Sequence, residues 1–431
     1  MANSLITAQW VARKALVLLH AKSNFTGRTN RDYQSLLPGP INGVILGQQL
    51  SIRLPFQYQL RTGPQMNAQN SVQRFATLLV NQQLGVDINF TSVERAMLLN
   101  NFEEQVLEPA MARLAAGVEN FTAGQVNNVP KFTGAYSTTA TYDQLLQNEQ
   151  YLTEALAPED DRRTFTATPQ TSRYFVKDNK GLFQPESTIS DQWLEGVISD
   201  KAAGYVCFRN TKLPTHVVGT FSASSNPAVN GAGQSNPGAG NAFVSTFALA
   251  TNGWNAGADT LNAGDVITIA GVNEVDPETK ASLGRPKQFV VTATTTSSGG
   301  AMAGLPIAPG IITGGAYQNV DNVPAAGALI QVFGVSGAAS NSPLLNISGA
   351  LIKQSLGWYR DAIVFANPPM LDLSPLVKMT AAEAFEGYNM RFAQQWDPSN
   401  DVLPARLDSI VGAVLAYPEL AVRNIEVASA S

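Results

Sequence analysis

Gly47-Gln-Gln-Leu-Ser-Ile-Arg-Leu-Pro-Phe-Gln-Tyr-Gln-Leu60, closed by Arg61-Thr-Gly-Pro64, is the stretch on which the reading of the fold turns. From Ile52 onward the apolar residues Ile52, Leu54, Phe56, Tyr58 and Leu60 alternate with Arg53, Pro55, Gln57 and Gln59. Period two places one face on something apolar and the other in water, which is the pattern of a strand. Pro55 has no N–H for a ladder, so the strand belongs at an edge or in a two-stranded hairpin. A second strand is expected over Thr77–Val80. Together they predict a long hairpin reaching out of the main body. Upstream, residues 1–36 read as an arm that begins helical and turns polar around Gly27, before Pro38-Gly39-Pro40 punctuates the chain.

Downstream, Thr91 and Glu94 have capping-box spacing at the head of a helix expected over Ser92–Val118. Leu99, Phe102, Val106, Ala110 and Leu114 fall on one side of it, and Pro109 predicts a kink or break. Residues 130–218 read as mixed. A helix is expected over Thr141–Leu156, with Tyr142, Leu145, Leu146, Leu152 and Leu156 as core, and another over Ile189–Ser199. Strands are expected at Arg173–Val176 and Gly204–Phe208. Composition then shifts. Between Gly219 and Ala350 lie 20 of the chain's 35 glycines, and Leu213–Ala258 contains no Asp, Glu, Lys or Arg. Strands at Ala242–Leu249, Val266–Val272, Gln288–Thr294 and Ala328–Val335, with a mobile loop at Asn226–Gly240, predict a β-barrel or sandwich inserted into an α/β host. Strands resume at Trp358–Phe365, Asp408–Ala416 and Leu420–Ile425.

Composition narrows the function. The chain has 431 residues, a prior of about three domains, and a net charge of −5. Charged residues make up only 14 % of it, against roughly 25 % in average soluble proteins. Such a surface suits a protein that buries much of itself in partners. No Lys/Arg cluster of the kind that grips nucleic acid is present, and no apolar run is long enough to span a membrane. Ala15–Leu19 is shorter than a secretory core, so the start reads as a short amphipathic helix. The single cysteine, Cys207, excludes an intramolecular disulfide, and with His20 and His216 it makes no zinc site. Phosphate loops, dinucleotide fingerprints and nucleophile elbows are absent. Glu159-Asp160-Asp161 before Arg162-Arg163 reads as a solvated turn. Glu274, Asp276 and Glu278 lack the Gly and closing Glu of a calcium loop. Cys207 reads as an inert core residue, and both histidines as structural. The expectation is therefore no catalytic residue, no cofactor and no metal.

Several stretches, in order, resemble the major capsid (coat) proteins of tailed double-stranded DNA bacteriophages, in particular the P22-like coat family. They are Gly47–Phe56 with Arg61-Thr-Gly63; Val86–Arg95 leading to Phe102-Glu-Glu and Pro109–Ala115; Leu261–Val272; Tyr359–Phe365; and Leu403–Asp408 with Gly412 and Pro418–Arg423. The resemblance implies an α+β, HK97-like capsid fold. Its parts would be an N-terminal arm (1–36), an extended hairpin loop (37–85), and a peripheral domain with a spine helix (86–129) that regains strands from the C-terminal part. A discontinuous axial domain (130–218 and 346–431) and an inserted β-barrel (219–345) complete it. The resemblance also implies a subunit that meets itself in hexamers and pentamers. A scaffolding protein, a portal and a decoration protein would be partners, and the shell would enclose double-stranded DNA without specific binding. The place of action would be the virion, after assembly in the bacterial host cytoplasm. Arg53, Phe56, Tyr58 and Arg61 are the expected intersubunit contacts. In the resembled coat proteins a charged loop of the insert joins capsomers; the charge-free stretch here departs from that. Rival readings are a protein-compartment shell of the same fold, a β-rich surface adhesin, and a glycosidase using Glu159–Asp161 or Glu274–Glu278.

Overall fold

The computed structural model describes residues 8–37, 46–66, 68, 73–91, 103–178, 201–222, 224–235, 245–257, 259–336, 343–370, 380–397, 400 and 402–427. The chain divides into two compact units. One gathers Met1–Ile52, Phe75–Gln125 and Ile363–Ala416; the other gathers Arg53–Arg74, Val126–Ala362 and Tyr417–Ser431.

The first unit is built on a sheet in the order Gln48–Arg53, Phe75–Thr91, Val402–Leu415, Tyr388–Gln394, Thr380–Phe385, with Ile363–Ala366 also pairing with Val402–Leu415. The long pair runs antiparallel from Gln82 opposite Val411 to Thr91 opposite Val402. Gly412 belongs here because a Cβ would lie 2.7 Å from the Leu79 carbonyl oxygen. Two helices cover the sheet. Val11, Leu16 and Leu19 of Ala8–Lys22 share one apolar core with Met111, Leu114 and Val118 of Glu108–Ala123 and with Tyr388, Leu407 and Val411. The arm is knit into this unit. The Asn30 N–H donates to Ile363 O at 3.0 Å, Phe365 N–H donates back to Asn30 O at 2.9 Å, and Phe25 N–H donates to the buried Glu119 carboxylate at 2.7 Å.

The expected second hairpin strand is far longer than Thr77–Val80, running to Thr91. Glu94, Leu99 and Phe102 lie outside the described residues. A π-helical turn, Glu103–Leu107, leads into the α-helix Glu108–Ala123, with Pro109 in its first turn. The proline does break the winding, because its ring tolerates only the start of a helix.

The second unit holds a mixed sheet and a barrel. The sheet runs Phe132–Gly134, Ala421–Val427, Leu351–Tyr359, Arg163–Ala167, Tyr205–Arg209, Lys201–Ala202, and Thr215–Val217 also pairs with Leu351–Tyr359. Helix Tyr142–Glu154 packs Leu145 and Leu152 onto it, while Leu146 and Leu156 face solvent. Arg173–Val176 is not a strand. It belongs to helix Pro169–Asp178, started by Thr168, whose Oγ1 accepts from Thr171 N–H at 3.1 Å, with Pro169 following as first helical residue. Ile189–Ser199 lies outside the described residues.

The glycine-rich block forms the barrel. Its strands are ordered Val335–Ser336, Ile330–Val332, Val266–Val275, Ser282–Val291, Ala301–Ala308, Phe247–Asn252, Ala228–Val229. The two ends meet, since Val229 N–H donates to Ala328 O and Ile330 N–H to Pro227 O, both at 2.9 Å. Val266, Ile267, Phe289, Leu305 and Ile330 fill the interior. Of the stretch Asn226–Gly240, read as a mobile loop, the described part through Ser235 is hydrogen-bonded, with Gln234 clasping Ala250, and residues 236–240 lie outside the described residues. The block enters and leaves side by side: Val218 N–H donates to Ala350 O, and Gly349 N–H to Gly219 O, each at 2.9 Å.

Candidate assembly surface

The strand Gln48–Arg53 ends where Arg53 and the loop beyond it begin. The root of that loop is fixed. Leu54 is buried and its N–H donates to Arg74 O at 2.9 Å. The Arg74 guanidinium lies 5.7 Å above the Tyr317 ring and reaches Glu419 Oε1 at 3.4 Å. Past Leu54 the alternation loses its covered face. Phe56 is 41 % exposed, Tyr58 65 %, Leu60 94 % and Met66 86 %. The Phe56 and Tyr58 rings stand 6.4 Å apart. Arg61 curls the tip on itself, donating to the carbonyls of Gly63 and Gln65. Arg53 is exposed and makes no ion pair among the described residues.

So the structure brings Arg53, Phe56 and Tyr58 together on one exposed loop, but gives Arg61 to the loop's own turn. Period two holds for Ile52 and Leu54, which are buried, while from Phe56 on the apolar side chains find no cover among the described residues. Leu60 and Met66 add the largest exposure, and the sequence reading did not single them out as contacts. A bulky apolar residue beside Gly-Pro punctuation was their one signal.

Among the described residues no three His, Cys, Asp or Glu side chains gather as a metal site, and no helix is long and apolar enough to cross a membrane. Of the carboxylates considered for chemistry, Asp160, Asp161, Glu274 and Asp276 are held by hydrogen bonds or ion pairs. Asp161 accepts from Lys201 at 2.7 Å, and Asp160 from Arg162 N–H at 3.0 Å. Glu274 is buried among Lys131, Arg285 and Lys287 at 3.3, 2.7 and 2.9 Å, and Arg285 also pairs with Glu154. Burial alone pushes the Glu274 carboxyl up, but Lys287, Lys131 and Arg285 override it and hold it far below the usual carboxylate range. Burial pulls the Lys131 ammonium down, against the pull of Glu274. Asp276 caps a turn, accepting from Glu278 and Thr279 N–H at 2.8 and 2.7 Å.

The two histidines are occupied differently. His20 meets Glu386 at 3.0 Å between Phe385 and Tyr388. His216 is buried, its Nε2 2.7 Å from Asp265 Oδ1, and Asp265 also accepts from the N–H groups of Gly219 and Asn262. Beside them Arg423, wholly buried, donates to Gly264 O and Gln354 Oε1; burial lowers it to about 9, against the pull of Asp265. These groups tie the barrel to the neighbouring sheet of the same unit. Cys207 sits half-buried on Tyr205–Arg209.

A family model described as "P22 coat protein - gene protein 5" matches residues 30–424. No curated protein matches the chain. Among solved structures it is similar to that of Mycobacterium phage Che8, at 9 % identity over 93 % of this chain and 90 % of that one, TM-score 0.44. It is similar to the capsid of Ralstonia phage GP4, at 8 % identity over 95 % and 92 %, TM-score 0.44. A smaller structure, the CUS-3 coat protein I-domain, is 27 % identical over 26 % of this chain and 98 % of its own, TM-score 0.19.

Proposed function

The chain belongs to the P22 coat protein family, and on that premise we propose how its parts build a shell. It is a phage major capsid protein, a structural subunit that forms the head. The match over residues 30–424 carries this reading, because it runs from the end of the arm through hairpin and barrel into the last strand rather than over one motif.

In the finer reading, copies join as hexamers and pentamers into an icosahedral procapsid that matures as double-stranded DNA is packaged. A scaffolding protein and a portal assist, a decoration protein binds outside, and assembly takes place in the host cytoplasm. The domains would be arm 1–36, hairpin loop 37–85, peripheral part 86–129, axial part 130–218 with 346–431, and insert 219–345. The loop at Arg53, Phe56, Tyr58 and Arg61 would lie on a neighbouring copy. Covering one exposed apolar side chain of this size stabilises by about 1.5–3 kcal/mol, and repetition around a closed shell multiplies weak contacts. The protein would have no catalytic turnover.

Negative-stain electron microscopy of the expressed chain, alone and with its scaffolding protein, tests this reading. Closed shells or curved sheets are expected. Monomers and dimers alone, in both samples at high concentration, would overturn it.

A further inference from the structure

The charge-free stretch Leu213–Ala258 contains two Asn-Gly pairs, Asn230-Gly231 and Asn252-Gly253; a third, Asn42-Gly43, lies outside the described residues. Before glycine the following backbone nitrogen reaches the asparagine Cγ with least obstruction, since no Cβ shields it. The first two pairs sit side by side, because Ala228–Val229 and Phe247–Asn252 are antiparallel neighbours.

Around Asn230 the donors are placed where this attack needs them. Gln234 Nε2 donates to the Asn230 backbone oxygen at 2.6 Å, and Gln234 is itself held by Ala250 through both amide atoms, at 3.0 and 2.7 Å. That bond stabilises the amide anion formed when Gly231 N loses its proton. Asn252 Nδ2 donates to Asn230 Oδ1 at 3.4 Å, the oxygen that becomes negative as Cγ turns tetrahedral. Asn230 and Gly231 are exposed, Gly231 has φ +95° with open space around its Cα, and its N–H makes no hydrogen bond among the described residues.

We propose that Asn230-Gly231 is a self-modification site. Gly231 N bonds to Asn230 Cγ, the Cγ–Nδ2 bond breaks, and ammonia leaves with the proton from Gly231. Water then opens the succinimide to aspartate or isoaspartate. No electron changes hands. The product places one negative charge per copy in a stretch that has none. Asn252-Gly253 is the internal control. Gly253 O accepts from Asn226 N–H at 2.8 Å, the Gly253 Cα is pressed against the Asn226 carbonyl, and Asn252 lies in the ladder between Ala228 and Ala301, so the residues on both sides of that peptide are held.

The full chain, native and unfolded in urea, is incubated at neutral and mildly alkaline pH and mapped by fragmentation mass spectrometry. A gain of about 1 Da at Asn230 is expected. It should accumulate several-fold faster in the native than in the unfolded chain, and faster as pH rises. Gln234→Ala and Asn252→Ala should slow it several-fold in the native chain and leave the unfolded rate unchanged. Asn230→Gln should remove it. Faster modification at Asn230 in the unfolded chain, or modification of Asn252 ahead of Asn230, would overturn the proposal.

Discussion

Glu274 shows how one residue can hold two parts of a unit. It comes from the barrel strand Val266–Val275, yet one of its three cations, Lys131, precedes the strand Phe132–Gly134 of the neighbouring sheet. Removing one member of a buried ionic cluster leaves the others uncompensated, which costs about 3–5 kcal/mol. Glu274→Gln is therefore expected to lower unfolding stability by that order in urea titration. The pH dependence has a definite sign. The folded carboxyl lies below its unfolded value of 4.5, so its contribution is full above that value and fades only as pH falls toward the lower folded one. The gap between wild type and Glu274→Gln should hold constant from pH 7 to about pH 5 and narrow in stronger acid. Gly412→Ala tests a different constraint. The added methyl meets the Leu79 carbonyl oxygen across the longest strand pair, and a loss of at least ~2 kcal/mol or insoluble expression is expected.

Elements were legible where their signals were local. The helix Tyr142–Glu154 has Thr141 and Gln144 as a reciprocal capping box, and periodic leucines set its buried face. Thr141→Ala should cost about 1 kcal/mol in thermal or urea unfolding. The barrel strands Val266–Val275 and Ser282–Val291 were each anticipated in part, because β-branched runs between glycines have few other solutions. Misreadings arose where an element's environment was non-local. Arg173–Val176 is too short for periodicity to decide, and the Thr168-Pro169 start signal just upstream was the better guide. Phe75–Thr91 extends well past its apolar core because Val402–Leu415, more than three hundred residues away, supplies the ladder. Sequence alternation at Ile52–Leu60 is real, but among the described residues only Ile52 and Leu54 of its apolar face find cover. The proposed contact residues were thus half legible: alternation marks side chains that share a face, but not what covers that face.

On the scale of the whole molecule, the proposed contact loop and the folded cores use different side chains. The folded cores do not use Tyr58, Leu60 or Met66. Tyr58→Ala with Leu60→Asp should leave urea unfolding of the soluble subunit within about 0.5 kcal/mol of wild type, while light scattering shows shell formation reduced or lost. Unchanged assembly would remove the loop from the contact surface.

The insert's two ends meet at one pair of backbone hydrogen bonds, Val218 to Ala350 and Gly349 to Gly219. Its barrel closes on itself through residues 227–229 and 327–330. Splicing a foreign module in at Gly219 and Gly349 would therefore leave the flanking strands in register, but the newcomer would also have to answer three buried cationic or titratable host residues, Lys131, His216 and Arg423, which the barrel's Glu274, Asp265 and Gly264 now satisfy.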